Sequence, residues 1–266
     1  MTITDTPTTK PNLSAPSATP STAISLRGVS KAFGHGGDVV VALEGITLDV
    51  ARGEFVCLVG ASGCGKSTSL NLIAGLDQPT LGDVTVHGRT ALMFQEAALF
   101  PWLSVRDNVA LPLRLAGTPK AERRRRADEL LELVHLGGQG GRRPHELSGG
   151  MRQRTALARA MAQDADILLM DEPFGALDAM TRDLLHDELE RLWSSTGLTI
   201  VFVTHNVREA ARLSDRIVLL TSLPGRVADE FPVDIERPRR IDSPEVSGLA
   251  AHVTDRLRAE VRRHGG

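Results

Sequence analysis

The stretch Gly60-Ala61-Ser62-Gly63-Cys64-Gly65-Lys66-Ser67-Thr68 constrains this chain more than any other. It has the spacing G-x-x-x-x-G-K-[ST]. The apolar run Phe55-Val56-Cys57-Leu58-Val59 precedes it, and a helix-like segment from Ser67 to Ala74 follows, closing at Gly75. Strand, glycine loop and helix in that order make a cradle for phosphate. Residues without a Cβ let backbone N–H groups curl inward, and the helix start adds a positive field. A nucleoside triphosphate is the ligand such a cradle suits: Lys66 would reach the β- and γ-phosphates and Ser67 would ligate Mg²⁺. A glycine-rich turn with a chance lysine would not need a strand and a helix on its two sides.

A length of 266 residues suits one large domain or two small ones. Thirty-one basic side chains against 33 acidic ones leave a net charge of -2, which gives no general reason to expect nucleic acid. The two cysteines, Cys57 and Cys64, fall in an expected buried strand and in the loop itself. Neither position suits a disulfide or a metal ligand, and a reducing cytosol is the compartment that fits. No apolar run approaches the ~20 residues of a membrane-spanning helix. The first residues lack the charged start and apolar core of a secretory signal. The expectation is a chain that reaches a membrane only through a partner.

Residues 1–23, rich in Thr, Pro, Ser and Ala, are expected to be disordered. Ile24, Leu26 and Val29, then Ile46, Leu48 and Val50, alternate as two strands of an antiparallel sheet would. Phe33 is expected in the glycine-rich turn between them, either as a platform for a nucleotide base or as a plug at a strand end. Asp83–Val86 and Ala91–Phe94 read as further strands, the second ending at Gln95. Beyond Gln95 helical periodicity takes over. Glu122–His135 carries Ala127, Leu130, Leu131 and Val134 on one stripe. Its basic run, Arg123 to Arg126, is expected to be a solvated face with Glu122/Arg126, Arg124/Asp128 and Arg125/Glu129 paired.

Leu147-Ser148-Gly149-Gly150-Met151-Arg152-Gln153-Arg154 opens another helix. Ser148 can cap it, and the two glycines leave N–H groups free as a second phosphate cradle. Ile167–Met170 reads as a buried strand ending in Asp171-Glu172. Two acids at the carboxyl end of such a strand lie where open α/β sheets bind ligands. Asp171 would hold Mg²⁺ and Glu172 would polarise a water. Met180, Leu184, Leu185, Leu189 and Leu192 mark a long helix after Asp178, and Thr199–Thr204 is a strand with His205 at its end. Arg216–Leu220 is a last core strand, and Val246, Leu249, Val253 and Leu257 form a final helical stripe.

Taken in order, the loop, Gln95, Leu147–Arg154, Asp171-Glu172, Gly175-Ala176-Leu177-Asp178 and His205 resemble the ATP-binding subunit of an ABC transporter. That resemblance implies an α/β P-loop NTPase core of RecA-like type, with an antiparallel β subdomain and an inserted α-helical subdomain near 96–160. The ATPase domain would span 24–232 and a helical tail 233–266. It implies that Phe33 stacks on adenine, where many members carry Tyr. Gln95 would sense Mg²⁺ and the γ-phosphate and link to the permease. Glu172 would be the catalytic base, assisted by His205 and Lys66. Ser148, Gly149, Gly150 and Asp178 would face the ATP held by a second copy of the chain, and Gly60–Thr68 the chain's own. Leu99–Val105, Thr204–Ala210 and Leu223–Val227 are similar to the importer branch for nitrate, sulfonates and taurine, although Asn206 stands where Asp is frequent. The implied setting is the cytoplasmic face of a membrane, with permease subunits and, indirectly, a solute-binding protein. The alternatives are a soluble ABC-type ATPase of DNA repair or translation, and a P-loop kinase or GTPase, in which Ser148–Gly150 and His205 would have no job.

Overall fold

The computed structural model describes residues 22–34, 38–175 and 177–264. The expected disordered tail lies outside these up to residue 21; Thr22 and Ala23 already belong to the first strand. β1 (Thr22–Phe33) pairs antiparallel with β2 (Val40–Ala51) and with β4 (Leu81–Val86), giving a three-stranded sheet ordered β2-β1-β4. Ile24 sits opposite Val50 and Leu26 opposite Leu48, so the alternating apolar residues of both strands share one buried face.

The second sheet contains β3 (Phe55–Val59), β5 (Thr90–Met93), β6 (Ile167–Asp171), β7 (Thr199–Thr204), β8 (Arg216–Leu220) and β9 (Val227–Pro232). Its order is β5-β6-β7-β3-β8-β9, parallel throughout except that β9 runs antiparallel on β8. Both faces of this sheet are covered. Phe55, Cys57, Val59, Met170, Phe202 and Leu219 pack to one side, while Val56, Leu58, Leu169, Val203 and Leu220 pack toward the antiparallel sheet and the first helix. That is why its strands read as unbroken apolar runs. β9, at the edge, mixes Asp229 and Glu230 with Phe231 and carries no such signal.

Helix α1 (Lys66–Ile73) follows β3. Then α2 (Val105–Leu115), α3 (Lys120–Leu133) and α4 (Gly149–Met161) pack on one another between β5 and β6. α5 (Ala179–Thr196) joins β6 to β7, α6 (Val207–Leu213) follows β7, and α7 (Pro244–His264) packs on α6 through Val246, Ala250 and Val253.

Three details differ from the sequence reading. Phe33 is not in a turn: it is the last residue of β1, opposite Val40. Phe94 lies just past β5 and is exposed, because the strand ends at Met93. On α3, Arg125 and Glu129 do pair, at 2.5 Å, but Asp128 pairs with Arg106 of α2 instead of Arg124, since α2 packs along that face. The long helix expected after Asp178 is α5, on which Leu185 and Leu189 are buried while Met180 and Leu184 are exposed, at 77% and 48%.

Candidate nucleotide site

The loop begins where β3 ends and is shaped by what presses on it. Gly65 has φ +90°, and a Cβ there would meet Leu43 Cδ2 at 2.4 Å and Ala42 O at 2.8 Å. Only glycine tolerates both the left-handed backbone and that approach. Gly225, in the turn between β8 and β9, closes the other side: its Cβ would fall 2.1 Å from Cys64 O, and its N–H donates to Ala42 O at 2.9 Å. The loop is therefore held between β2 and the β8–β9 turn.

Lys66, the first residue of α1, is 6% exposed. Its Nζ donates to Gly60 O and Ala61 O, both at 2.9 Å, and lies 3.6 Å from Cys64 Sγ. An ammonium satisfied by loop carbonyls can exchange them for phosphate oxygens without being carried across solvent. Cys64 is buried and its thiol pKa is raised, burial being the main cause, so it is an inert part of the packing.

A cleft of about 370 Å³ opens over the loop. Ala42, Ser62, Gly63, Gly65, Lys66, Ser67, Thr68, Gln95, Glu172 and His205 line it. Elements far apart in sequence thus converge at the carboxyl ends of β3, β5, β6 and β7. His205 Nδ1 lies 3.0 Å from Glu172 Oε2. Glu172 has φ +43°, a left-handed conformation uncommon for a side-chain-bearing residue and frequent at functional sites. Beside it, Asp171 ends β6 close to the Ser67 hydroxyl, and burial raises its carboxyl pKa. Its Oδ1 is buried with no hydrogen-bond partner. An orphaned carboxylate oxygen next to a hydroxyl is a donor set that suits a hard divalent cation.

Ser148, Gly149, Gly150 and Asp178 do not line this cleft. Ser148 caps α4, its Oγ accepting from Met151 N at 3.2 Å, and Asp178 caps α5, accepting from Thr181 N at 2.9 Å. The N–H groups of Gly149 and Gly150, in the first turn of α4, have no acceptor within the helix. Phe33 is 45% exposed, with Lys31 Nζ 5.0 Å from its ring centroid, and is also absent from the cleft lining. Gln95 is held through its backbone: Gln153 Nε2 donates to Gln95 O at 2.7 Å. Ala176 is outside the described residues.

The ABC transporter family model matches residues 43–175, half of the chain. A taurine import ATP-binding protein, TauB, from Mesorhizobium japonicum is 49% identical over 211 residues, 76% of this chain and 82% of that protein. This chain belongs to the ABC transporter family. An aliphatic sulfonates import ATP-binding protein of the same organism is 45% identical and covers 88% of each chain. Among solved structures, an ATP-binding cassette in a dimeric post-hydrolysis state bound to ADP and Pi is 34% identical, with a TM-score of 0.75 over 80% of this chain and 100% of that one. This ABC ATPase accordingly has the P-loop NTPase fold, with the antiparallel sheet and inserted helices expected.

Sequence reasoning missed a buried polar cluster behind the cleft. Arg182 and His186 on α5 meet Glu209 and Arg212 on α6, with the last three residues at most 5% exposed. A signal existed: Arg182, Asp183, His186 and Asp187 repeat at helical spacing, as do Glu209 and Arg212. Nothing local pairs the two sets.

Proposed function

We propose that this chain is the ATP-hydrolysing subunit of an importer, bound to the cytoplasmic face of a membrane through separate permease subunits. The observation that carries it is the Glu172–His205 contact at 3.0 Å facing Lys66 and Ser67 across one cleft. ATP would lie along Gly60–Thr68 with its γ-phosphate toward that pair, and Phe33 would contribute to the adenine end. Glu172 would accept a proton from the attacking water. His205, hydrogen-bonded to Glu172, would orient it and contact the γ-phosphate. Lys66 would remain on the β- and γ-oxygens.

Ser67, Asp171 and Gln95 would hold Mg²⁺. The unpartnered Asp171 Oδ1 and the nearness of Asp171 to the Ser67 hydroxyl support that set. The ion would neutralise charge on the triphosphate oxygens.

Two chains would bind two ATP between them, head to tail. The position of Ser148–Gly150 and Asp178 off their own cleft supports this: their free N–H groups suit a phosphate that this chain does not itself bind. Permease docking is supported by exposed apolar side chains next to Gln95, where Phe94, Phe100 and Trp102 are 46%, 36% and 68% exposed and the last two rings pack at 5.4 Å. Among the described residues no helix is long and apolar enough to cross a membrane. The solute would be small, such as taurine, another sulfonate or nitrate, delivered to the permease by a solute-binding protein. No nucleic acid takes part.

The test is Glu172→Gln assayed with its permease. ATP binding should persist while turnover falls about 10²-fold or more. Unchanged turnover would remove Glu172 from its role.

A further inference from the structure

The cluster behind the cleft has no part in the scheme above, yet it touches both halves of it. Glu209 lies in the first turn of α6 and is 4% exposed. Its Oε2 accepts from Thr204 Oγ1 at 2.8 Å, and that same Oγ1 accepts from Asn206 N at 3.0 Å. The carboxylate thereby braces the chain on both sides of His205. Its other oxygen, Oε1, is 3.4 Å from Arg182 Nε. Arg182 in turn donates from Nη2 to Leu177 O at 2.8 Å, one residue before Asp178. Leu177 is packed on the start of α4, where a Cβ on Gly150 would lie 3.0 Å from Leu177 Cδ2. One path of contacts runs from Gly150 through Leu177, Arg182 and Glu209 to the loop of His205.

We propose that the ion pair between half-buried Arg182 and buried Glu209 is a positioning device that sets His205 according to the position of the Gly150–Asp178 surface. The inference rests on the two-chain reading of Ser148–Gly150 and Asp178. On that reading one end of the path faces the neighbour's ATP and the other faces this chain's own, so the pair carries the state of one site to the other. Burying the Glu209 charge is expensive, and its pairing with the partly exposed Arg182 adds little net stability over apolar packing. What it supplies is a single geometry, since removing Arg182 leaves Glu209 buried without its cation. His186 does not compete for Glu209: its imidazole is neutral and its Nε2 is 3.8 Å from Oε1. The space between the pair and Glu172 is about 40 Å³, room for water and no larger ligand.

The experiment uses the chain assembled with its permease in vesicles. Steady-state ATPase rates against ATP concentration would be compared for wild type, Glu209→Gln, Arg182→Gln, the double variant and Arg182→Lys, with ATP binding and Tm measured on each. The expected result is ATP affinity within about twofold of wild type, kcat lowered about tenfold, and a Hill coefficient falling toward that of independent sites. The double variant should be no worse than the poorer single, and Arg182→Lys should regain part of the rate. Wild-type kcat and cooperativity in Glu209→Gln would overturn the proposal. So would a lowered Tm with kcat per folded molecule unchanged, which marks a purely structural pair. A wild-type assembly that hydrolyses ATP without cooperativity would instead remove the two-chain reading, and the inference with it.

Discussion

Acid should weaken this fold through one histidine. His186, on α5, is fully buried, and its imidazole pKa is pushed down to about 3 from the ordinary 6.5. Burial is the main cause, followed by the charges of Arg212 and Arg182. Arg212 Nη1 lies 3.1 Å from Nδ1, a contact only an unprotonated Nδ1 can accept. The unfolded chain takes up a proton below pH 6.5 that the folded chain refuses until about pH 3. The stability associated with neutral His186 is therefore whole above pH 6.5 and is lost progressively as pH falls through that window. At pH 5 the loss is about 2 kcal/mol, from ~1.4 kcal/mol per pH unit below the unfolded pKa. Urea unfolding at pH 7.5, 6 and 5, followed by far-ultraviolet circular dichroism, would measure it on wild type and on His186→Asn, whose amide oxygen can still accept from Arg212. Other titrations are nearly common to both proteins. The stability gap between the two should shrink by about 2 kcal/mol from pH 7.5 to pH 5. Parallel curves would refute a histidine held neutral by burial.

Gly65→Ala should lower stability by roughly 2 kcal/mol or more and weaken ATP binding, because a Cβ there meets both a left-handed backbone and Ala42 O at 2.8 Å; denaturant midpoints and nucleotide titration would check it. Lys66→Ala should abolish ATP-driven dimer formation in size-exclusion runs, whereas Ser148→Arg should block dimer formation with binding at Lys66 intact. Equal loss of ATP binding in both variants would contradict a site made by two chains. Asp171→Asn should weaken the Mg²⁺ requirement of ATP binding about tenfold in titrations at fixed ATP, and an unchanged Mg²⁺ dependence would take Asp171 out of the donor set.

The parts of the fold that were legible in the sequence are those whose cause is local. β3, the loop and α1 follow from an apolar run, from closely spaced glycines, and from a helix read from Ser67 that the structure starts one residue earlier, at Lys66. The parallel strands were visible because burial on both faces leaves no polar alternation, as in Thr199–Thr204. β9 was not, because an edge strand may keep its charged residues in water. Within the cleft, every lining residue but Ala42 was anticipated as part of a motif. The Arg182–Glu209 contact was not, since its partners are 27 positions apart on two helices and nothing along the chain registers their meeting.

The packing around Gly65 and Gly225 has a consequence for how nucleotide is received. With β2 on one side and the β8–β9 turn on the other, the protein's own packing sets the curvature of the loop, so little chain entropy is left to be lost on binding phosphate. Nucleotide capture should then be fast and nearly insensitive to loop dynamics. On the proposed two-chain reading, the free energy of contact would be left for the slower, larger motion that brings one chain onto another.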